Sequence, residues 1–90
     1  MVMKIKLEFF ATLREKFGKE KEVELQSSNA TIREALAKVE GLLEEITEGD
    51  KLKPMYKVLV NGLNIEFLDK LETKIKDGDE ISIFPPAGGG

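Results

Sequence analysis

The sequence predicts a small two-layer α+β domain, a mixed sheet packed on one main helix. Three observations point there. Polar/apolar alternation marks a strand near each end of the chain, strict over Lys4 to Phe9 and broken only by the closing Phe84 over Glu80 to Phe84. Between them, a capped apolar stripe of helical period runs from Thr31 to Ile46. The length of 90 residues allows one modest core and no second domain.

In the first strand Ile5, Leu7 and Phe9 form the buried face. At Phe10 the period changes. Phe10, Leu13 and Phe17 sit at helical spacing, and Gly18 stops this short helix or helical loop. Glu22 to Gln26 alternates again and is a second strand. Thr31 then opens the main helix. With Glu34 it forms a capping box, and Ile32, Ala35, Leu36, Val39, Leu43 and Ile46 make the stripe. Gly41 inside that stripe costs about 1 kcal/mol relative to alanine, which marks close packing or a break. Gly49 and the polar stretch to Pro54 end the helix.

Tyr56 to Val60 is an almost continuous apolar run, read as a strand buried on much of both faces. Asn61-Gly62 is a tight-turn signal, since both residues tolerate positive φ. Leu63 to Phe67 reads as a short return strand, and Leu68 to Lys76 as irregular or briefly helical, anchored by Leu71 and Ile75. Asp77-Gly78 makes a turn into the last strand, which Pro85 and Pro86 end because neither can donate to a sheet ladder.

The composition excludes several chemistries. Without cysteine there is no thiol nucleophile, disulfide or thiolate metal site; without histidine the commonest general base and metal ligand is missing. A net charge of −3 with interspersed signs argues against a nucleic-acid or anionic-membrane partner. No apolar run approaches the roughly 20 residues of a spanning helix. Lys4, Lys6 and Glu8 break any signal peptide, so the cytoplasm is the expected compartment. Asp77 and Asp79 read as a turn before a strand rather than a metal loop, and Glu44, Glu45 and Glu48 as a solvated helix end. No self-contained active site emerges.

The tail differs from the rest. After Phe84-Pro85-Pro86 come Ala87, Gly88, Gly89 and Gly90. The prolines favour an extended exit, and glycines let another backbone approach closely. Such a tail suits threading a narrow channel to present a terminal carboxylate. A carboxylate is a poor electrophile, but joined to AMP it becomes a mixed anhydride open to a sulfur or amine nucleophile. Terminal glycines alone more often mean a frayed end; Phe-Pro-Pro and the matching domain pattern reverse that reading.

Taken together, these motifs resemble the small subunit of molybdopterin synthase, a sulfur carrier of the ubiquitin-like β-grasp kind. The likeness runs nearly end to end. It includes Phe10-Ala11-Thr12-Leu13-Arg14-Glu15, the helix from Thr31, Val60-Asn61, Lys76-Asp77-Gly78-Asp79-Glu80, and the strand leading to Pro85-Pro86 and a closing diglycine. Two departures stand out. Gly88 replaces the usual Ala, Ser or Thr, and the stretch from Asn64 to Lys76 is longer than typical.

The resemblance implies a β-grasp domain over residues 1–86 and a flexible tail over 87–90. It implies that an ubiquitin-activating-like adenylyltransferase adenylates Gly90 with ATP, that a sulfur donor forms a thiocarboxylate, and that the large subunit of molybdopterin synthase takes the tail into its own active site. Catalytic residues would lie on the partners, and no cofactor would be bound here. Gly88 and Gly89 would give access to the channel. Other carrier pathways, in thiamine synthesis or tRNA thiolation, and conjugation to protein lysines remain alternatives.

Three expectations follow. The first and last strands lie parallel at the sheet centre, with Ile5, Leu7, Phe9, Val23, Leu25, Leu36, Val39, Val58, Val60, Ile81 and Ile83 in the core. Phe84, out of phase with Ile81 and Ile83, leaves the core, either to meet a partner or to pack under Pro85, while Arg14 either pairs with a partner carboxylate or is a solvated helix charge. Ala87 to Gly90 are mobile until bound.

Overall fold

The computed structural model describes residues 2–86. Strand β1, Met3–Phe9, alternates as its sequence does, with Met3, Ile5, Leu7 and Phe9 buried. Each such side chain contributes about 1.5–3 kcal/mol when fully buried. Helix α1, Thr12–Phe17, follows, ended by Gly18, and sets Phe17 against Phe9 with ring centroids 5.5 Å apart. Strand β2, Glu20–Leu25, starts two residues earlier than its alternation suggested and pairs antiparallel with β1, Ile5 opposite Val23.

Two short helices, α2 (Ile32–Leu36) and α3 (Leu42–Ile46), replace the single expected helix. The capping box at Thr31 is present: Thr31 N–H donates to Glu34 Oε1 at 2.9 Å, and Glu34 N–H to Thr31 Oγ1 at 3.3 Å. The break falls before Gly41, whose φ of 83° lies in the left-handed region that only glycine adopts without strain. This resets the helical phase. Leu42, not Leu43, is fully buried, and Leu43 only packs against the core's margin.

Beyond α3 comes an unexpected two-residue hairpin, β3 (Thr47–Glu48) with β4 (Lys51–Leu52). Strand β5 is Lys57–Val60. Val58 and Val60 are buried, but Lys57 is exposed and Leu59 half-buried, so it is buried on one face rather than on both. The return strand β6 is shorter than expected, Leu63–Asn64. There the Asn64 side chain accepts the Glu66 N–H at 2.8 Å and diverts the chain into a 3₁₀ turn, Ile65–Phe67. A second 3₁₀ turn, Lys70–Glu72, buries Leu71, and Ile75 is buried after it. Ile32 N–H to Thr73 O and Ile75 N–H to Ala30 O, both 3.0 Å, tie this loop to the start of α2.

The last strand, β7, is Glu80–Phe84. Among the described residues the main sheet has the order β2-β1-β7-β5-β6. β7 runs parallel to β1, with Leu7 opposite Ile81 and Phe9 opposite Ile83, and antiparallel to β5, with Val60 opposite Ile81. Both strands are interior, and every residue of the expected core is buried. Strand period 2 then gives the sheet a second face, away from the helices, carrying Lys4, Lys6, Glu8, Leu59, Ser82 and Phe84.

Candidate functional site at the end of the last strand

β7 is fixed at its start by polar groups. Gly78, at φ 90°, turns the chain so that its N–H donates to Lys4 O at 2.8 Å, while Asp77 Oδ1 accepts the Lys4 N–H at 2.8 Å. Asp79 is 5% exposed. Its Oδ1 accepts from Asn61 Nδ2 and its Oδ2 from the Lys76 N–H, each at 2.9 Å. Asn61, held at φ 50°, returns its Oδ1 to the Glu80 N–H at 3.0 Å. The Val60-Asn61 and Asp77-Gly78-Asp79-Glu80 motifs, far apart in sequence, are thus one latch. A buried carboxylate is stable only when such donors surround it. Asp77 and Asp79 are turn and latch groups, and among the described residues no group of three or more acidic side chains converges as a metal site.

At the other end of β7, Phe84 lies outside the core, as its phase requires, and is half-buried. Its ring stacks on Phe10, with centroids 4.3 Å apart and planes 10° from parallel. It is therefore neither a freely exposed aromatic nor packed only under Pro85. Phe10 precedes α1 instead of lining its stripe. The β1/β7 register explains this: Phe9 faces inward opposite Ile83, so the residue after each, Phe10 and Phe84, comes to the outer side. The Arg14 guanidinium sits over the Phe10 ring, 5.4 Å from its centroid, and Arg14 Nε donates to Phe9 O at 3.0 Å. Arg14 is exposed but not merely solvated. Ala11, between Phe10 and α1, has φ 52° and ψ −130°, a conformation alanine rarely takes.

The charges around this face alternate. Lys6 Nζ lies 3.5 Å from Glu20 Oε1, and Glu20, then Glu80, hold its ammonium above the ordinary lysine range. Away from the face, Lys16 Nζ bonds Glu45 Oε1 at 2.7 Å, joining α1 to α3. Lys16 holds the Glu45 carboxyl below its ordinary range, and Glu45 raises Lys16 in turn. The Tyr56 hydroxyl donates to Glu45 Oε2 at 3.3 Å; its pKa is raised, first by burial and then by that carboxylate. Among the described residues no helix is long and apolar enough to cross a membrane. Gly88, Gly89 and Gly90, and the expected mobility of Ala87 to Gly90, lie outside the described residues.

A mixed sheet with parallel first and last strands at its centre, covered on one face by short helices, defines the ubiquitin-like β-grasp class. The chain belongs to the ThiS family, whose profile matches residues 7–90. It is a ubiquitin-like protein of the sulfur-carrier and protein-modifier group. Small archaeal modifier protein 3 of Haloferax volcanii is 37% identical over 92 residues, spanning 98% of this chain and 100% of the relative. A chain from the crystal structure of the Amycolatopsis orientalis BexX/CysO complex superposes with TM-score 0.75 at 30% identity, over 96% of this chain and 99% of that one. A Pyrococcus furiosus protein described as molybdopterin converting factor, subunit 1, superposes with TM-score 0.72 at 26% identity, over 94% and 99%.

Proposed function

We propose that the chain is a sulfur carrier whose reacting group is the Gly90 carboxylate, and that it serves the large subunit of molybdopterin synthase. The observation that supports this most is a junction of fold and motif. The central strand β7 ends at Phe84, the two prolines follow, and the family match continues to residue 90. In the proposed cycle, a Gly90 oxygen bonds the α-phosphorus of ATP on an ubiquitin-activating-like adenylyltransferase, and the bond to pyrophosphate breaks. A hydrosulfide equivalent then adds to the acyl carbon and AMP leaves, which gives the thiocarboxylate. In the last step the thiocarboxylate sulfur bonds a carbon of the pterin precursor as a leaving group departs from it, and water then cleaves the acyl–sulfur bond, which leaves the sulfur on the precursor and regenerates the carboxylate. Phe84 and Arg14 are proposed partner contacts, and Gly88 and Gly89 the slender segment that enters the partner. Adenylation is the role proposed for ATP, and it takes place on the partner.

A second reading has its own support. The 37% identity to a small archaeal modifier protein favours attack on the same acyl-adenylate by a lysine amine, giving an isopeptide bond. Both readings share the activation step and part at the nucleophile. Intact mass after incubation with the activating enzyme, ATP and a sulfide source tests the first: one oxygen replaced by sulfur is the expected product. Unchanged mass, with a ladder of heavier conjugates on a denaturing gel, would decide for the second.

A further inference from the structure

We infer that Asn61 is a self-modification site held shut by Asp79: where the latch opens, the Asn61 side chain deamidates, and the carboxylate it gains cannot close the latch again. In an Asn-Gly pair the glycine nitrogen can attack the asparagine side-chain carbon. A C–N bond forms and the bond to Nδ2 breaks. The proton of the attacking nitrogen passes by way of water to the departing ammonia, and a cyclic imide remains. Water then opens the imide at either carbonyl, to aspartate or isoaspartate. No oxidant, reductant or cofactor enters.

Glycine favours the attack because no Cβ stands beside its nitrogen. Residue 62 is glycine, whereas Asn29 and Asn64 precede Ala30 and Ile65. Asn61 is exposed, and chain neighbours aside, no heavy atom lies within 4 Å of where a Gly62 Cβ would stand. Water therefore reaches the turn.

The latch opposes the first step. Attack requires the amide to turn its carbon toward the Gly62 nitrogen, and both ends of the amide are held elsewhere. Nδ2 donates to Asp79 Oδ1 at 2.9 Å, and Oδ1 accepts the Glu80 N–H at 3.0 Å. The Asn61 backbone N–H donates to Glu80 O at 2.8 Å. Asp79 is fixed in turn by the Lys76 N–H. A group held this way reacts from the locally opened state, so its rate follows how often that state forms.

The product changes the latch for good. A carboxylate at residue 61 has no N–H to give, and its oxygen would take the place of Nδ2 beside the Asp79 carboxylate. Two like charges that close repel. Isoaspartate adds a backbone carbon to a turn whose φ values, 50° and 86°, suit the pairing of Val60 with Leu63.

The test incubates the full chain at mildly alkaline pH, at a temperature where circular dichroism shows every variant folded. It follows the mass gain of amide-to-acid conversion and maps it to residue 61 by fragmentation. Asp79→Ala is expected to deamidate there at least about tenfold faster, the change that about 1.4 kcal/mol of lost latch stability gives. Asp79→Asn keeps one acceptor for two donors, guards against unfolding of the alanine variant, and should lie between. Leu42→Ala empties part of the core at α3, which gives no group to the latch, and should stay within about twofold of the unsubstituted protein. Asn61→Asp should unfold at lower urea than the unsubstituted protein. Equal speeding by Leu42→Ala would make general unfolding the gate and overturn the inference. So would an unchanged or slower rate in both Asp79 variants, or an unaltered urea midpoint in Asn61→Asp.

Discussion

At its start β7 is gripped by a buried carboxylate, Asp79, which accepts from Asn61 and from the Lys76 backbone; at its end the grip is two stacked rings, Phe84 and Phe10. The first is directional and closed to solvent. It tolerates no missing partner, because an unpaired buried polar group carries its full desolvation cost. The second is half-buried and less directional. Ring pairs hold their spacing through dispersion and quadrupole attraction while leaving an edge or face for another molecule. The strand is thus anchored where nothing need approach, and held by an accessible surface where the tail departs.

The largest effect should appear beyond the ring end. Removing Gly90 moves the carboxylate one residue short of the activating centre. Thiocarboxylate formation, read by intact mass, should vanish, while denaturant stability stays within about 0.5 kcal/mol, as for surface changes. A variant without Gly90 that still gained sulfur at the original rate would sink the carrier proposal.

At the start of the strand, Asp79→Ala strips the acceptor from Asn61 Nδ2 and the Lys76 N–H. A loss of about 2–3 kcal/mol in urea unfolding is expected, near the upper range for an orphaned buried donor. A loss below about 0.5 kcal/mol would mean that the two ends of β7 do not differ in kind.

Ala11→Gly separates strain from stacking. Releasing positive φ recovers about 1–3 kcal/mol, against about 0.5–1 kcal/mol of added backbone entropy in the unfolded chain. A net gain near 1 kcal/mol is expected, read by thermal melting. A net loss would show that φ 52° is no burden at this site.

The smallest effect should come from a pair remote from both ends. Glu45 is depressed below its ordinary value of 4.5 by Lys16. Its contribution is therefore present above that value and fades as pH falls through the lower folded-state pKa. Lys16 is raised above 10.5, so its share fades only as pH rises beyond that. Glu45→Gln should lower the melting temperature slightly at neutral pH. The gap should close in acid below about pH 4. A gap that widened in acid would contradict the pairing.

How much of this was legible in the sequence varied with the kind of residue. β1 and β7 were readable because their alternation has one period and one buried face, and their parallel central placement came with the family resemblance. The capping box was readable because it is local, Thr31 with Glu34. The break before Gly41 was only half visible: the glycine stood out, but whether it would pack or turn depended on how the next apolar residues met the sheet. Leu43 was expected inside because unbroken helical phase puts it there, and Leu42 took its place once the phase was reset. Phe10 was assigned to the helix because its spacing to Leu13 and Phe17 fits, although strand register opposes it.

Local sequence by itself determined the strand faces, the cap, the turns at Asn61-Gly62 and Asp77-Gly78, and the candidate reacting tail. Those depend on side-chain period, positive-φ tolerance and missing N–H groups, which are properties of a few neighbouring residues. Tertiary structure decided that Asn61 meets Asp79, that Phe10 meets Phe84, and that Arg14 lies over the Phe10 ring. Each of the first two joins residues far apart in the chain, and the third needs the strained turn at Ala11. No local period encodes such meetings; they exist because β7 pairs with β1 on one side and with β5 on the other, which brings both ends of the strand to groups placed there by distant parts of the chain.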